Sequence, residues 1–305
     1  MKTLKDKQTS MGEAVRKYCP DGSTFAISGM GAREPFAALF EIIRQGKKDL
    51  TFVSNGVSDA GCLILGSGCV KKFEGGYAGI ILVGSDSNVR RAREKGIPIK
   101  LELEEYTNYT SGLRFLAGSM KLPYMPTKSL LGSDIIKHNP RIKVVDDPYG
   151  SGPLALVPAS NPDVSFMHVQ RADVSGNGQI FNAMIDDNTI ARASKHVVLI
   201  CEEIVSTGEI RKNSHMTAIP SYCVDAVVHA PFAGYPLWCA GYYCCDMPWR
   251  SYYARVSKTQ EGYEQYIKEW VLDTISWDGF LDKVGRDRLE RLVKMERDNY
   301  TIPVL

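Results

Sequence analysis

The chain has 305 residues, of which 44% are hydrophobic and 24% are charged, and its formal net charge is +2. This balance is that of a globular protein with a sizeable core, and it lacks the strong basicity of a protein that binds nucleic acid or anionic membranes. The length suits one large α/β domain or two small ones.

The N-terminal segment and the cysteines indicate the compartment. Residues 1–18 carry charge throughout and lack the apolar stretch of a signal peptide. No apolar run approaches the ~18 residues that a membrane span needs. We therefore expect a cytoplasmic protein with no membrane partner and with reduced cysteines, which are Cys19, Cys62, Cys69, Cys201, Cys223, Cys239, Cys244 and Cys245.

Apolar strands alternate with helical segments along most of the chain. Strands are predicted at 24–30, 50–54, 77–83, 100–104, 154–158, 164–169, 196–201 and 224–229, and helices at 35–45, 88–95 and 105–120. Because the strands are apolar without strict alternation, they indicate burial on both faces. The predicted fold class is α/β, with an open, mainly parallel sheet and helices on both faces.

The C-terminal region has a different pattern. From Thr259 to Ile275 apolar residues recur at helical spacing, and 286–298 predicts a second, more charged helix. No low-complexity linker precedes these segments, so we predict one domain over 1–305 with a helical extension at about 255–305. The aromatic residues of 242–253 either pack on this chain or form a subunit interface.

Three loops after predicted strands are rich in small residues, and ligands of open α/β sheets bind at such loops. They begin at Ser28, Ser54 and Gly84, and their glycines allow backbone amides to approach an anionic ligand. The first loop, SGMGAREP, lacks the third glycine of the dinucleotide fingerprint. Asn55 stands where a ribose-binding acid would be expected, so a nicotinamide enzyme is disfavoured.

The sequence contains no conventional catalytic set. It has no GxSxG, HExxH or P-loop motif. His168 alone favours a structural role, and Glu202 with Glu203 is either a general base or a salt-bridged pair. Cys239, Cys244 and Cys245 lack CxxC spacing and favour buried thiols over a metal site.

Several segments in fixed order resemble the α (A) subunit of family I coenzyme A transferases, and in particular that of the glutaconate type. They are DGSTFAISGMGAREP, LTFVSNG, LPYMPT, FMHVQRADVSGNGQIF, VVLICEEIV and CVDAVVHAPF, and the similarity covers nearly the whole chain. The resemblance implies an open α/β fold, a homologous B (β) subunit, and an A2B2 or larger assembly. It also implies coenzyme A and acyl-CoA as substrates, with no permanently bound cofactor and no metal.

The resemblance implies a mechanism in which this chain holds no catalytic residue. In the B subunit, a glutamate of a Ser-Glu-Asn-Gly turn attacks the acyl-CoA and becomes a glutamyl-CoA thioester, and a small acid, monocarboxylic or dicarboxylic, takes over the CoA. The turn at Ser54 would be the A-side counterpart without the glutamate. The resemblance assigns substrate and CoA binding to Gly29, Met30, Gly31, Ser54, Asn55, Gly56, Gly84, Ser85 and Asn108.

Two departures from the family pattern affect the expected substrate. Residues 28–30 read Ser-Gly-Met where the family has Gly-Gly-Phe, and residues 233–236 read Ala-Gly-Tyr-Pro where it has Gly-Ala-His-Pro. A phenol in place of an imidazole would alter the polarity around the acyl group. Arg33 and Arg114 are candidates to meet a second carboxylate, and Arg33 is alternatively a solvated residue at a helix start.

Two other functions fit the same resemblance. Relatives of the A/B pair act as hydrolases or decarboxylases of acyl-CoA esters when another residue replaces the glutamate of B. A non-catalytic acyl-CoA-binding subunit is the third alternative.

Overall fold

The structure, a computed structural model, describes residues 5–181 and 184–299. Its strands are β1 Thr24–Ile27, β2 Leu50–Val53, β3 Gly56–Val57, β4 Val70–Gly75, β5 Tyr77–Ala78, β6 Glu102–Glu105, β7 Tyr124–Thr127, β8 Lys143–Asp146, β9 Pro153–Pro158, β10 Val164–Ala172, β11 Gly178–Gln179, β12 His196–Ile204, β13 Thr217–Ile219 and β14 Ala226–His229. Its α-helices are α1 Met11–Tyr18, α2 Phe36–Arg44, α3 Asp59–Leu65, α4 Ser87–Lys95, α5 Asn108–Ser119, α6 Ile135–His138, α7 Asp187–Ala193, α8 Thr207–Lys212, α9 Met247–Val256, α10 Gln260–Ile267, α11 Trp277–Val284 and α12 Arg286–Asn299.

The main sheet is open and mostly parallel, as predicted. Seven parallel strands lie in the order β14-β12-β10-β1-β2-β4-β6, and β11 and β13 add antiparallel pairs beside the end of β10. The chain starts in the middle at β1, moves outward to β6, and returns to β10 on the other side of β1. This reversal of strand order creates a crevice at the carboxyl ends of the central strands, where ligands of such sheets bind.

Both faces of the sheet are covered because neighbouring residues of each strand point to opposite sides. Phe25, Phe52 and Phe166 belong to a core cluster that includes α2, α3 and the C-terminal helices. Ala26 and Met167, one residue further along their strands, belong to a second cluster that includes residues of α5 and α7. This two-sided burial explains why the strands read as continuous apolar runs.

The predicted strand at 77–83 is wrong for most of its length. Only Tyr77–Ala78 is extended, in the short β3–β5 pair, and Ile80 then pairs with Gly84 across a tight turn in which Leu82 has φ 68°. The sheet strand on this side is β4, which the sequence conceals because Lys72 and Glu74 interrupt its apolar residues. Likewise, β9 is a strand as predicted, but it pairs with β7 and β8 in a separate antiparallel sheet.

The C-terminal helices pack on the same core as the sheet. Tyr263, Trp249 and Phe280 join the cluster of the central phenylalanines, and the helix from Gln260 continues through a π-helical turn at Lys268–Leu272. Ile275 does not continue this face, since it is 81% exposed. The aromatic segment 242–253 is therefore partnered largely by this chain's own helices.

Within residues 5–181 and 184–299, the helices are all too short or too polar to cross a membrane.

Asp86 supplies a pH-dependent contribution to stability. Its buried carboxylate caps α4 by accepting from the backbone amides of Asn88 and Val89 at 2.8 and 2.9 Å, and burial raises the pKa of Asp86 to about 6. The folded state therefore binds this proton more tightly than the unfolded state, and stability falls as the pH rises from about 4 to above 6.

Asp86→Asn keeps a capping oxygen without the buried charge. We expect the variant to gain about 3 kcal/mol relative to wild type between pH 4 and pH 7.5, measured by denaturant unfolding. Asp134→Asn, at the exposed N-cap of α6, is the matched control and should show no such gain. Parallel pH profiles for wild type and Asp86→Asn would contradict the assignment.

Candidate active-site cleft

The loop after β1 forms one wall of a cleft at the carboxyl end of the sheet. Gly29 and Gly31 have φ of 77° and 74°, and a Cβ on Gly29 would lie 2.7 Å from the carbonyl carbon and oxygen of Arg33. Glycine is therefore required at position 29. The tight turn brings Met30 against the next loop, because a Cβ on Gly56 would come within 2.9 Å of its Cε.

The turn after β2 is locked by its own side chains. The Ser54 hydroxyl donates to the Gly56 carbonyl at 2.7 Å, and the Asn55 Oδ1 accepts from the Gly56 amide at 2.8 Å. The Asn55 Nδ2 donates to Asp186 Oδ2 at 2.7 Å. Ser54 and Asn55 are both buried, so this turn is a rigid element that connects β2 with α7.

Glu34 connects the loop after β1 to the start of α3. Its carboxylate is 1% exposed and accepts from the amides of Gly31, Ser58, Ala60 and Gly61 and from the Ser58 hydroxyl, at 2.7–3.3 Å. It thereby satisfies the free amides at the start of α3. Burial and the nearby Asp59 carboxylate raise the pKa of Glu34, and the hydrogen bonds from Gly31 and Ser58 act in the opposite direction.

The opposite wall comes from two helices that lie side by side. Asn108 begins α5 after Thr107, which caps the helix, and the side chain of Asn108 is exposed toward the cleft. Asp186 precedes α7 and lies against Gly112, where an added Cβ would be 3.1 Å from Asp186 Oδ2. The cleft has a volume of about 650 Å³ and is lined by Met30, Asn55, Asn108, Tyr109, Gly112, Leu113, Leu116, Ile185, Asp186 and Thr189.

The structure brings together most of the residues that the resemblance assigned to the site. A narrow extension of the cleft, with a volume of only about 10 Å³, is lined by Gly29, Ser54 and Gly56, in addition to Met30 and Asn55. Gly31 lies behind Met30 and contacts Ile81, where a Cβ would be 2.8 Å from its Cδ1.

Gly84 and Ser85 are exposed at the end of the Ile80–Gly84 turn and do not line the cleft. Sequence patterns did not identify Asp186 or the apolar Leu113 and Leu116. The only local signal for Asp186 is the Asp-Asp pair before a short helix.

Both arginines considered for a second substrate carboxylate have partners inside the fold. Arg33 Nη1 donates to the His168 carbonyl at 2.7 Å and to Asp187 Oδ1 at 3.1 Å. Arg114 Nη2 donates to Glu74 Oε2 at 2.6 Å. Since both arginines are 1% exposed, they are structural cations rather than substrate ligands.

His168 and Glu202 form a buried hydrogen-bonded pair on the other side of Arg33. Their Nε2 and Oε1 atoms are 2.8 Å apart, and the Tyr243 hydroxyl donates to the same Oε1 at 2.7 Å. Cys239 lies close enough to complete a three-residue metal set. However, two ligands of a tetrahedral zinc are about 3.3 Å apart, so a short hydrogen bond fits this geometry better than a metal.

The remaining sequence candidates have structural contacts as well. The Cys244 thiol donates to Glu296 Oε2 at 3.3 Å, and Cys245 lies beside Met247, so the cysteines form no common metal set within the described residues. Tyr235 is fully buried and donates to Asp246 Oδ2 at 2.8 Å. The phenol therefore lies in the core and does not alter the polarity of the cleft.

Comparison with known proteins identifies the family. The family model described as Coenzyme A transferase matches residues 8–230, which is more than half of the chain. The chain belongs to the coenzyme A transferase family. The resemblance seen in the sequence is thereby confirmed.

Individual relatives agree with this assignment. The A subunit of glutaconate CoA-transferase from Acidaminococcus fermentans is 33% identical, with 94% of each chain covered, and the crystal structure of that enzyme superimposes with a TM-score of 0.89 over 94% of this chain and 95% of that chain. The A subunit of 3-oxoadipate CoA-transferase from Pseudomonas knackmussii is 33% identical over 92% of this chain and 98% of its own. An uncharacterized protein of Archaeoglobus fulgidus is 36% identical over 96% of this chain, which spans 66% of that longer relative.

The same fold also serves another reaction. The crystal structure of a variant of the decarboxylase AibA/AibB matches with a TM-score of 0.73 and 28% identity, over 86% of this chain and 98% of that chain.

Proposed function

We propose that this chain is the A subunit of a heteromeric CoA-transferase that moves CoA between an acyl-CoA and a small carboxylic acid. The observation that carries the proposal is the turn at Ser54, which lies at the cleft with its side chains engaged in internal hydrogen bonds. A wall of this kind positions a substrate but supplies no free nucleophile. The nucleophile is the glutamate expected on the partner B subunit.

The proposed reaction consists of four acyl transfers that conserve charge. The partner's glutamate attacks the thioester carbonyl, which releases CoA thiolate and forms a mixed anhydride. The thiolate attacks the glutamyl carbonyl, which releases the donor acid and leaves a glutamyl-CoA thioester. The acceptor carboxylate attacks this thioester, and the freed thiolate then attacks the acceptor's carbonyl, giving the new acyl-CoA and the original glutamate.

This chain contributes orientation and shielding to these steps. We assign to the exposed Asn108 amide and to the backbone around Met30 the role of holding the thioester by hydrogen bonds, because both line the cleft. The side chains of Leu113, Leu116 and Tyr109 form an apolar surface that excludes water from the anhydride and the thioester, both of which water would hydrolyse.

The test is reconstitution with a partner subunit. We expect no CoA transfer from acyl-CoA to acetate by this chain alone and transfer after co-expression with a B subunit that contains Ser-Glu-Asn-Gly. Mass spectrometry after incubation with acyl-CoA should find the glutamyl-CoA thioester on the partner and not on this chain. Transfer by the isolated chain, or a thioester on this chain, would overturn the proposal.

The same assay separates the alternatives. Release of free CoA without transfer would indicate a hydrolase, and release of CO2 would indicate a decarboxylase, as in the second solved relative. We expect an A2B2 or larger assembly, which light scattering of the co-purified complex would measure.

A further inference from the structure

We infer that the cleft prefers acyl groups whose far end is uncharged over acyl groups with a second carboxylate, and that Asp186 sets this preference. This preference concerns the substrate of the same site, so it rests on the proposed function. It also differs from what the names of the relatives suggest, because glutaconate and 3-oxoadipate each carry two carboxylates.

Among the described residues, this chain's side of the cleft offers no counter-charge for a second carboxylate. In the part of the chain that the structure describes, the lining residues include no lysine, arginine or histidine, and Asp186 is the single carboxylate among them. The other side chains are amides, a hydroxyl, a phenol and apolar groups. Such a wall suits a short aliphatic chain with a neutral polar group.

Asp186 is held so that its charge faces the cleft. Oδ2 accepts the Nδ2 hydrogen bond of Asn55 at 2.7 Å, and both carboxylate oxygens lie just over 3 Å from the position of a Cβ on Gly112. One hydrogen bond leaves most of the acceptor capacity of a carboxylate unused. A hydroxyl on the acyl group would find an acceptor here, whereas a second carboxylate would meet a like charge.

The buried Arg33 does not cancel the charge of Asp186. Arg33 is paired with Asp187, the residue next to Asp186, at 3.1 Å. One guanidinium and two carboxylates leave a net negative charge at this end of α7. Arg114, the other internal cation considered, is paired with Glu74.

The experiment uses the complex of this chain with its B subunit, together with two donors that differ only at the far end. Valeryl-CoA ends in a methyl group and glutaryl-CoA in a carboxylate, and acetate is the acceptor for both. We expect wild type to favour valeryl-CoA at least tenfold in kcat/KM. Asp186→Asn, which keeps the size and the hydrogen bond from Asn55, should reduce this ratio at least tenfold, mainly by improving glutaryl-CoA.

A second variant keeps the test independent of any folding defect in the first. Ile185 is 53% exposed at the rim of the cleft, so Ile185→Arg adds a cation without disturbing the core and should also favour glutaryl-CoA. Asp282→Asn, at an exposed position of α11, is the matched control and should leave the ratio unchanged. A wild-type preference for glutaryl-CoA, or an unchanged ratio in both cleft variants, would overturn the inference.

Equilibrium binding of the two thioesters to the same complexes gives the preference without turnover. If the wild-type complex transferred CoA from neither donor to acetate, the proposed function would be contradicted. The ratio of the two dissociation constants would still decide whether Asp186 disfavours a second carboxylate.

Discussion

Replacing Glu34 by alanine is expected to lower the free energy of unfolding by about 3–5 kcal/mol, since each buried donor left without an acceptor costs about 1–3 kcal/mol. Four backbone amides and one hydroxyl converge on this carboxylate, at Gly31, Ser58, Ala60 and Gly61. Water that enters the space left by the side chain would satisfy some of these donors, which keeps the expected loss below the sum of the separate costs. Denaturant unfolding of the complex and of the chain alone would measure it.

Two further variants test whether the stability loss in Glu34→Ala comes from the missing hydrogen-bond acceptor. Glu34→Gln keeps one accepting oxygen but turns an amino group toward the remaining donors, so we expect a smaller loss than for alanine. Glu94→Gln removes an exposed glutamate that pairs with Arg90, and it should change stability by less than about 1 kcal/mol. If Glu34→Ala were as stable as Glu94→Gln, the Glu34 carboxylate would not be what stabilises the loop at Gly31 and the start of α3.

Substitution of Glu34 should also change the kinetic constants of the assembled enzyme. Glu34 lines only the narrow extension of the cleft and acts by fixing the turn at Gly31 and the start of α3. It is therefore a positioning residue. We expect Glu34→Gln to raise KM for the acyl-CoA more than it lowers kcat, whereas a purely structural defect would reduce the amount of active enzyme and leave KM unchanged.

The parallel sheet was predictable because its central strands are buried on both faces. The segments that became β10 and β12 are long apolar runs, and no pairing partner needs to be known to recognise them. The strand β4 was missed because Lys72 and Glu74 lie within it. Their charges are compensated by Glu104 and Arg114, which are distant in sequence, and local patterns carry no information about such pairs.

The cleft was predictable only where local geometry demands particular residues. Gly29 and the Ser54 turn are visible in the sequence because tight turns after strands require glycine and small polar residues. Asp186 precedes α7 and Leu116 lies in α5, and both line the cleft only because these helices pack together near Gly112 and Gly118. For the same reason the sequence left Arg33 and Arg114 as candidates for binding a second carboxylate, whereas Asp187 and Glu74 pair with them in the structure.

Removing the Asp187 carboxylate is expected to cause the second large loss of folding stability. Asp187→Asn would leave the Arg33 guanidinium charged in a site where both side chains are 1% exposed, and removing one partner of such a pair costs about 3–5 kcal/mol. Arg33 also donates to the His168 carbonyl, so the pair connects the loop after β1 with β10 and the start of α7.

A double-mutant cycle separates the pair from its surroundings. Arg33→Met removes the cation and also the hydrogen bond to His168, and the double variant Arg33→Met with Asp187→Asn should be more stable than the sum of the two single losses predicts, because no unpaired charge remains buried. The exposed Arg90–Glu94 pair, treated in the same way, should show a coupling below about 1 kcal/mol. Additive losses at Arg33 and Asp187 would mean that the ion pair does not hold the first loop against α7. The position of Asp186, one residue away, would then depend on its hydrogen bond from Asn55 and its packing against Gly112 alone.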